Sequence, residues 1–207
     1  MGRAGRREPA SVRAHSRGVQ STSFPVTTQP TPTCSDPPRR FDKSLGEALL
    51  AFFVAEGART VVDLGCGTGA YVRHFLGGGL AAAGFDGNPS TPRISKNTCG
   101  VLDLSVVAEV VAPYDWALSL EVGEHLPQAY EEAFIENLHR HNARGLVLSW
   151  ATKGQGGTGH VNEQDNDYVK VRVCAKGYVN DLEAEHVLRQ AARFSYFKRT
   201  VMVFRRA

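Results

Sequence analysis

No segment of this sequence stays apolar for the ~18 residues that a membrane helix needs, and none has the shorter apolar core of a secretory signal. Cysteine is sparse. Cys34, Cys66, Cys99 and Cys174 are scattered, without a C-x-x-C pair or a framework spacing, so a disulfide scaffold is excluded and reduced thiols in a cytoplasmic setting are expected. Lysine is missing from residues 1–40, and acids nearly so: Glu8 and Asp36 stand against seven arginines, a net charge of +5. Sixteen of those forty residues are Ser, Thr or Pro. Such a segment cannot bury enough surface to offset its ordering entropy, so a disordered basic tail is expected. Its Arg- and Ser-rich, acid-poor character also fits a transit segment, which makes a mitochondrial or plastid address the alternative to the cytoplasm; a plain solvated extension is the other reading. The whole chain carries +3, so residues 41–207 carry −2, which argues against a large phosphate-gripping face on that part. With 207 residues and 42% hydrophobic content, the chain can bury one full core, expected within residues 41–207.

What is present is most concentrated at Val61-Val62-Asp63-Leu64-Gly65-Cys66-Gly67-Thr68-Gly69, an apolar run leading into an acid and three alternating glycines. Glycines there let the backbone turn through positive φ and approach a ligand without an intervening Cβ. Ala70 to Leu76 can open a helix whose first amides face the same ligand. Gly65-x-Gly67-x-x-Ala70 formally fits a dinucleotide fingerprint, with Asp86 suitably placed beyond it. A pyrophosphate laid over this turn would, however, meet the like charge of Asp63. A ligand carrying an ammonium and a sulfonium would be attracted to it.

The run Asp-x-Gly-x-Gly-x-Gly resembles the first motif of the class I S-adenosylmethionine-dependent methyltransferases. The resemblance extends to Ala82–Gly87, ending in Asp86, to Val101–Leu104, containing Asp103, and to Tyr114–Glu121. It implies S-adenosyl-L-methionine as the methyl donor, held by Asp63, Gly65, Gly67, Gly69, Asp86 (ribose hydroxyls), Asp103 (adenine amino group) and Glu121. It also implies an α/β, Rossmann-like, doubly wound and mostly parallel seven-stranded sheet.

The residue pattern agrees with an alternation of helices and strands. Leu45, Ala48, Leu49, Phe52 and Phe53 recur at helical spacing, with Gly57 as a stop. Strands are expected near 61–64, 82–85, 101–104, 116–120, 145–150 and 198–205. Pro127 is placed to open a helix carrying Tyr130, Phe134, Ile135 and Leu138 on one face, and further helices are expected at about 166–175 and 181–192. Between Asn88 and Gly100, Pro89 and Pro92 predict a short or irregular crossover. Ligands bind such sheets beyond the carboxyl ends of the strands.

Candidates for chemistry follow two of those ends. Glu121-x-x-Glu124-His125 resembles an element of ubiquinone-pathway O-methyltransferases and small-RNA 2′-O-methyltransferases, in which carboxylates and histidines hold a divalent cation. Glu121, Glu124, His125 and His160 are therefore candidate ligands for Mg²⁺, Mn²⁺ or Zn²⁺, and Glu124, His125 and His160 candidate catalytic groups. The other reading of the Glu-His pair has no metal: the acid caps the next helix or orients the donor. His160 lies in a Gly-rich stretch, Gly156 to Asn162; just before it, Trp150 and Gln155 are candidates to line an acceptor pocket, although a buried aromatic at a strand end is more often part of the core.

The expected activity is O-methylation of a small molecule. The Asp/Asn-Pro-Pro-aromatic element of base and glutamine-amide methylation is absent after the fourth strand, and no Pro-Cys pair marks cytosine-C5 chemistry. Metal-assisted 2′-O-methylation of RNA ends and a non-catalytic, donor-binding partner subunit are the alternatives.

Overall fold

The computed structural model describes residues 41–110 and 112–207. The basic tail, its transit reading and Cys34 lie outside the described residues.

The chain begins with helix α1 (Lys43–Ala55), started by Asp42, whose side chain accepts from the Leu45 amide at 3.1 Å. The same carboxylate accepts from the Arg193 and Phe194 amides at 2.7 and 2.9 Å, so a buried cap also anchors the far end of the chain. Then come β1 (Thr60–Leu64), α2 (Ala70–Gly77), β2 (Ala81–Asp86), the single turn α3 (Thr91–Ile94), β3 (Gly100–Val101) and β4 (Tyr114–Leu120). After β4 lie 3-10 turns at Gly123–His125 and Gln128–Tyr130, then α4 (Glu131–Arg140), β5 (Asn142–Ser149), α5 (Asn166–Cys174), β6 (Tyr178–Asn180), α6 (Leu182–Ala191), α7 (Phe197–Thr200) and β7 (Met202–Arg206).

Among the described residues seven strands form one sheet in the order β3-β2-β1-β4-β5-β7-β6. β1, β2, β3, β4 and β5 pair in parallel, and β7 runs antiparallel between β5 and β6. Side chains alternate across the sheet, and each face is covered. Val61, Trp116, Leu118 and Val147 pack with Leu45, Leu49, Phe53 and Phe75 on one side. Val62, Leu64, Ala117, Leu146 and Leu148 pack with Phe134, Leu138 and Trp150 on the other. No helix among the described residues is long and apolar enough to cross a membrane.

The fold departs from the sequence expectations at several points. The third strand stops at Val101, because the Asp103 side chain accepts from the Ser105 amide and hydroxyl at 2.9 and 2.6 Å and turns the chain. Pro127 precedes a 3-10 turn instead of opening α4. The helical register therefore starts later, leaving Tyr130 exposed while Phe134, Ile135 and Leu138 are buried. Lys198 to Thr200 belong to α7, with the Thr200 amide donating to the Tyr196 carbonyl, so the last strand begins at Met202. The edge strand β6 has no counterpart among the expected strands, since three residues with Val179 turned outward carry too little alternation to read.

Lys176 ties α4 to the turn after α5, with Nζ 2.7 Å from Glu132 and 2.8 Å from Glu136. This ion pair, with Arg140 at 2.7 Å, holds the Glu136 carboxyl down at about 2. A carboxyl depressed in the fold stabilises it above the ordinary value of 4.5 and loses that contribution as the pH falls toward 2. Glu136→Gln is expected to lower stability at pH 7 by ~1 kcal/mol or less, and to melt alongside wild type near pH 2, as read by thermal denaturation across pH.

Candidate active site

The turn from β1 into α2 is built from conformations open to glycine: Gly65, Gly67 and Gly69 have φ of +88°, +54° and +71°. A Cβ on Gly65 would overlap the Val122 side chain, and one on Gly69 would lie 2.7 Å from Cys99 Sγ, so close packing restricts these positions as well. Asp86, at the carboxyl end of β2, accepts from the Gly67 amide through Oδ2 at 2.8 Å and from the Asn88 amide through Oδ1 at 3.0 Å. Each oxygen retains a second lone pair for a hydroxyl donor. Asp63 is buried at the end of β1, whereas Asp103 is exposed beyond β3. Three acids thus end three neighbouring strands along one edge, a set that suits a cationic, hydroxyl-bearing ligand such as S-adenosylmethionine. Burial, with Asp63 next in effect, pushes the Cys66 thiol far up, so it sits in the turn as a protonated packing group.

The segment after β4 opens on Glu121, whose φ of +53° is rare for a side chain of this kind. Its amide is held by Ser149 Oγ at 2.9 Å, and its carboxylate accepts from Gln155 Nε2 at 2.6 Å and Thr200 Oγ1 at 3.2 Å. These contacts turn Glu121 away from the next acid and join β4, the loop after β5, and α7.

Glu124 is fully buried. Its Oε1 lies 3.8 Å from His125 Nε2 and 4.0 Å from His160 Nε2, and the two rings meet edge to face with centroids 5.0 Å apart. His125 Nδ1 is 3.2 Å from the Gly159 carbonyl, and His160 Nδ1 is 2.9 Å from Glu163 Oε1. Both partners are acceptors, so each Nδ1 is placed to donate, and each Nε2 faces Glu124. One atom from each of Glu124, His125 and His160 falls within 4.8 Å of the others, a donor set that fits a divalent cation; Glu121 stands outside it.

Local packing explains why the cluster forms. A Cβ on Gly123 would overlap the Trp150 ring, and a Cβ on Gly157 would overlap three atoms of the His160 ring. Backbone amides of Val161 and Asn162 donate to the Glu124 carbonyl at 2.8 and 3.0 Å, pinning the two segments together. Trp150 belongs to the core: it is buried against Phe134 and donates its indole N–H to the Asn162 carbonyl at 2.6 Å. Gln155 serves Glu121. Sequence reasoning missed Glu163, which accepts from His160 and from the Gly154 and Gly156 amides at 2.8 and 2.7 Å. These hydrogen bonds, His160 first, hold its carboxyl below the usual range.

Removal of the strand-end acid that ties the turn together has a definite expected effect. Asp86→Ala is expected to weaken S-adenosylhomocysteine binding by at least ~10-fold in calorimetry, with Asp86→Asn intermediate, since it removes the acceptor of the Gly67 and Asn88 amides together with the lone pairs open to a hydroxyl donor, where one charge-assisted hydrogen bond would be worth about 1.5–3 kcal/mol.

No family model matches the sequence, and no curated protein matches it. Solved structures do resemble it. Magnesium protoporphyrin IX methyltransferase from Synechocystis PCC 6803, with bound SAH, superposes with a TM-score of 0.59 at 20% identity, covering 78% of this chain and 82% of the other. The sugar N-methyltransferase KedS8 from Streptoalloteichus sp ATCC 53650 gives 0.62 at 15% identity, over 79% and 87%. The methyltransferase domain of bacterial CtHen1 gives 0.58 at 18% identity, over 80% and 98%. The strand order, the glycine turn and these superpositions agree that the chain has the class I S-adenosylmethionine-dependent methyltransferase fold.

Proposed function

We propose that this chain is an S-adenosylmethionine-dependent methyltransferase acting on an oxygen of a small-molecule acceptor, and that Glu124, His125 and His160 hold a divalent cation where that acceptor docks. The observation that carries the reading is the convergence of two imidazole Nε2 atoms on one buried carboxylate, with ligand atoms of all three side chains within 4.8 Å of one another, beside the edge where Asp63 and Asp86 end their strands. One carboxylate and two imidazoles suit Mn²⁺ or Zn²⁺ better than Mg²⁺, which takes oxygen donors. A cation there would orient and polarise the acceptor oxygen.

Methyl transfer breaks the sulfonium S–CH₃ bond, leaves its electron pair on a neutral thioether and forms an O–CH₃ bond, while the acceptor gives up a proton. The chain's task is mainly alignment, for which effective molarity is worth about 7–11 kcal/mol. Asp63, Asp86, Asp103 and the glycine turn are assigned to the donor, with Glu121 at the boundary between donor and acceptor. Without a cation, the same Nε2 atoms are the groups able to take the proton. The two uses of one lone pair exclude each other.

A second reading, 2′-O-methylation at an RNA end, uses the same cluster. The seven arginines within residues 1–40 favour it, and the −2 charge of residues 41–207 opposes it. A donor-binding subunit without catalysis is disfavoured by the buried acid and two histidines gathered beside the donor edge.

In calorimetry, S-adenosylmethionine and S-adenosylhomocysteine should bind and NAD should give no heat; the reverse ends the methyltransferase reading. With labelled donor, label is expected to pass to small molecules, and transfer confined to RNA would establish the second reading. Chelation should abolish transfer, and Glu124→Gln or His160→Ala should lower it at least ~100-fold. Activity that survives chelation but not His160→Ala would leave that histidine as a base, and activity that survives all three would leave the cluster as structure.

A further inference from the structure

We infer that Glu163 is the positioning residue of this cluster. It holds His160 in the Nδ1–H tautomer with Nε2 turned to Glu124, and it closes the 154–160 loop around that ring. The inference extends the functional reading above, but its central claim concerns a tautomer and stands apart from whether a cation binds.

His160 lies between two carboxylates. Glu163 Oε1 is 2.9 Å from Nδ1, a hydrogen-bonding distance, whereas Glu124 Oε1 is 4.0 Å from Nε2, which is not. A neutral imidazole has one N–H, so the shorter contact takes it. The Glu163 carboxylate also collects the Gly154 and Gly156 amides at 2.8 and 2.7 Å. Those glycines have φ of +84° and +70°, and nothing stands within 4 Å of a Cβ built on either. Their turn is therefore free of packing constraint and takes its shape from the acceptor at its centre. Gly157 presents a bare Cα against which the imidazole lies.

The neighbouring histidine depends on the same loop, since His125 Nδ1 meets the Gly159 carbonyl at 3.2 Å. Loop 154–163 thus supplies the Nδ1 partner of both rings. An ionised carboxylate makes the stronger of the two bonds, because charge-assisted hydrogen bonds are roughly twice as strong as neutral ones. Outer partners of ligating histidines fix ring orientation and raise basicity, and their loss typically lowers metal affinity about 10–100-fold.

The test uses the full chain as wild type, Glu163→Ala, Glu163→Gln and His160→Ala. Imidazole ¹⁵N shifts, assigned with His160→Ala, should show His160 as the Nδ1–H tautomer in wild type and as a mixture or the Nε2–H form in Glu163→Ala. Titration with Co²⁺ alone, read by visible absorbance, should be weaker by about 10–100-fold in Glu163→Ala and less so in Glu163→Gln, whose amide oxygen still accepts one N–H. S-adenosylhomocysteine affinity should move less than twofold in either. If Glu163→Ala loses its circular dichroism signature, Glu163→Leu, which removes the acceptor while keeping the bulk, carries the same readings. A folded Glu163→Ala that keeps the wild-type tautomer overturns the assignment, as does one with unchanged Co²⁺ affinity where wild type binds the ion. If wild type binds no Co²⁺ but the tautomer still follows Glu163, the cation reading falls and the positioning role stands.

Discussion

The parallel register of β1 against its two neighbours is the constraint on which the rest depends. Asp63 stands opposite Gly84 in β2 and Leu118 in β4, so the strands end nearly level. Strands running one way leave their last residues along a single edge, with each return passing over a face as helix or loop. The glycine turn, the strand-end acids and Glu121 all fall on that edge for this reason. Gly84 is itself part of the arrangement: a Cβ there would overlap Val72 and meet Cys99 Sγ at 2.8 Å, forcing α2 off the sheet.

Against that frame the cluster around Glu124 works by local opposition of forces. A carboxylate with no exposure is unfavourable in a protein interior and needs compensating partners. Here the Glu124 carbonyl is pinned by the Val161 and Asn162 amides, and the two imidazoles face its carboxylate. Beneath, Asn162 and Tyr168 donate to the buried Glu131 at 3.2 and 2.8 Å, and the Trp150 indole donates to the Asn162 carbonyl. A layer of satisfied polar groups over packed aromatics keeps the histidines from collapsing into the core.

Legibility in the sequence follows the range of the forces involved. The apolar strand, the glycine turn and α1 could be read from neighbouring residues, because sterics and period decide them within a few positions. Six of the seven strands were legible in some form; β6 was not, being an edge strand of three residues stabilised by pairing with β7. Asp103 shows the limit within one residue: the apolar pattern carries its strand on to Leu104, but its side chain bonds Ser105 and ends the ladder. In the Glu-x-x-Glu-His run, spacing suggested two acids acting together. A positive φ at Glu121 and partners from Gln155 and Thr200, far along the chain, separate them. Glu163 offered no pattern at all, since an acid three residues beyond a loop histidine is unremarkable until the loop is closed.

By itself, then, the sequence determined the order of elements, the location of the donor turn and the short list of acids and histidines able to do chemistry. Those depend on backbone sterics, side-chain period and charge, which act over a turn or two of chain. Only the tertiary structure decided which of those groups meet. Glu124 and His125 reach His160 across 36 and 35 positions because β4 and β5 lie side by side, and Glu121 is drawn off by α7 near the other end of the domain. Contacts between distant segments are set by the packing of the whole sheet, which no local spacing encodes.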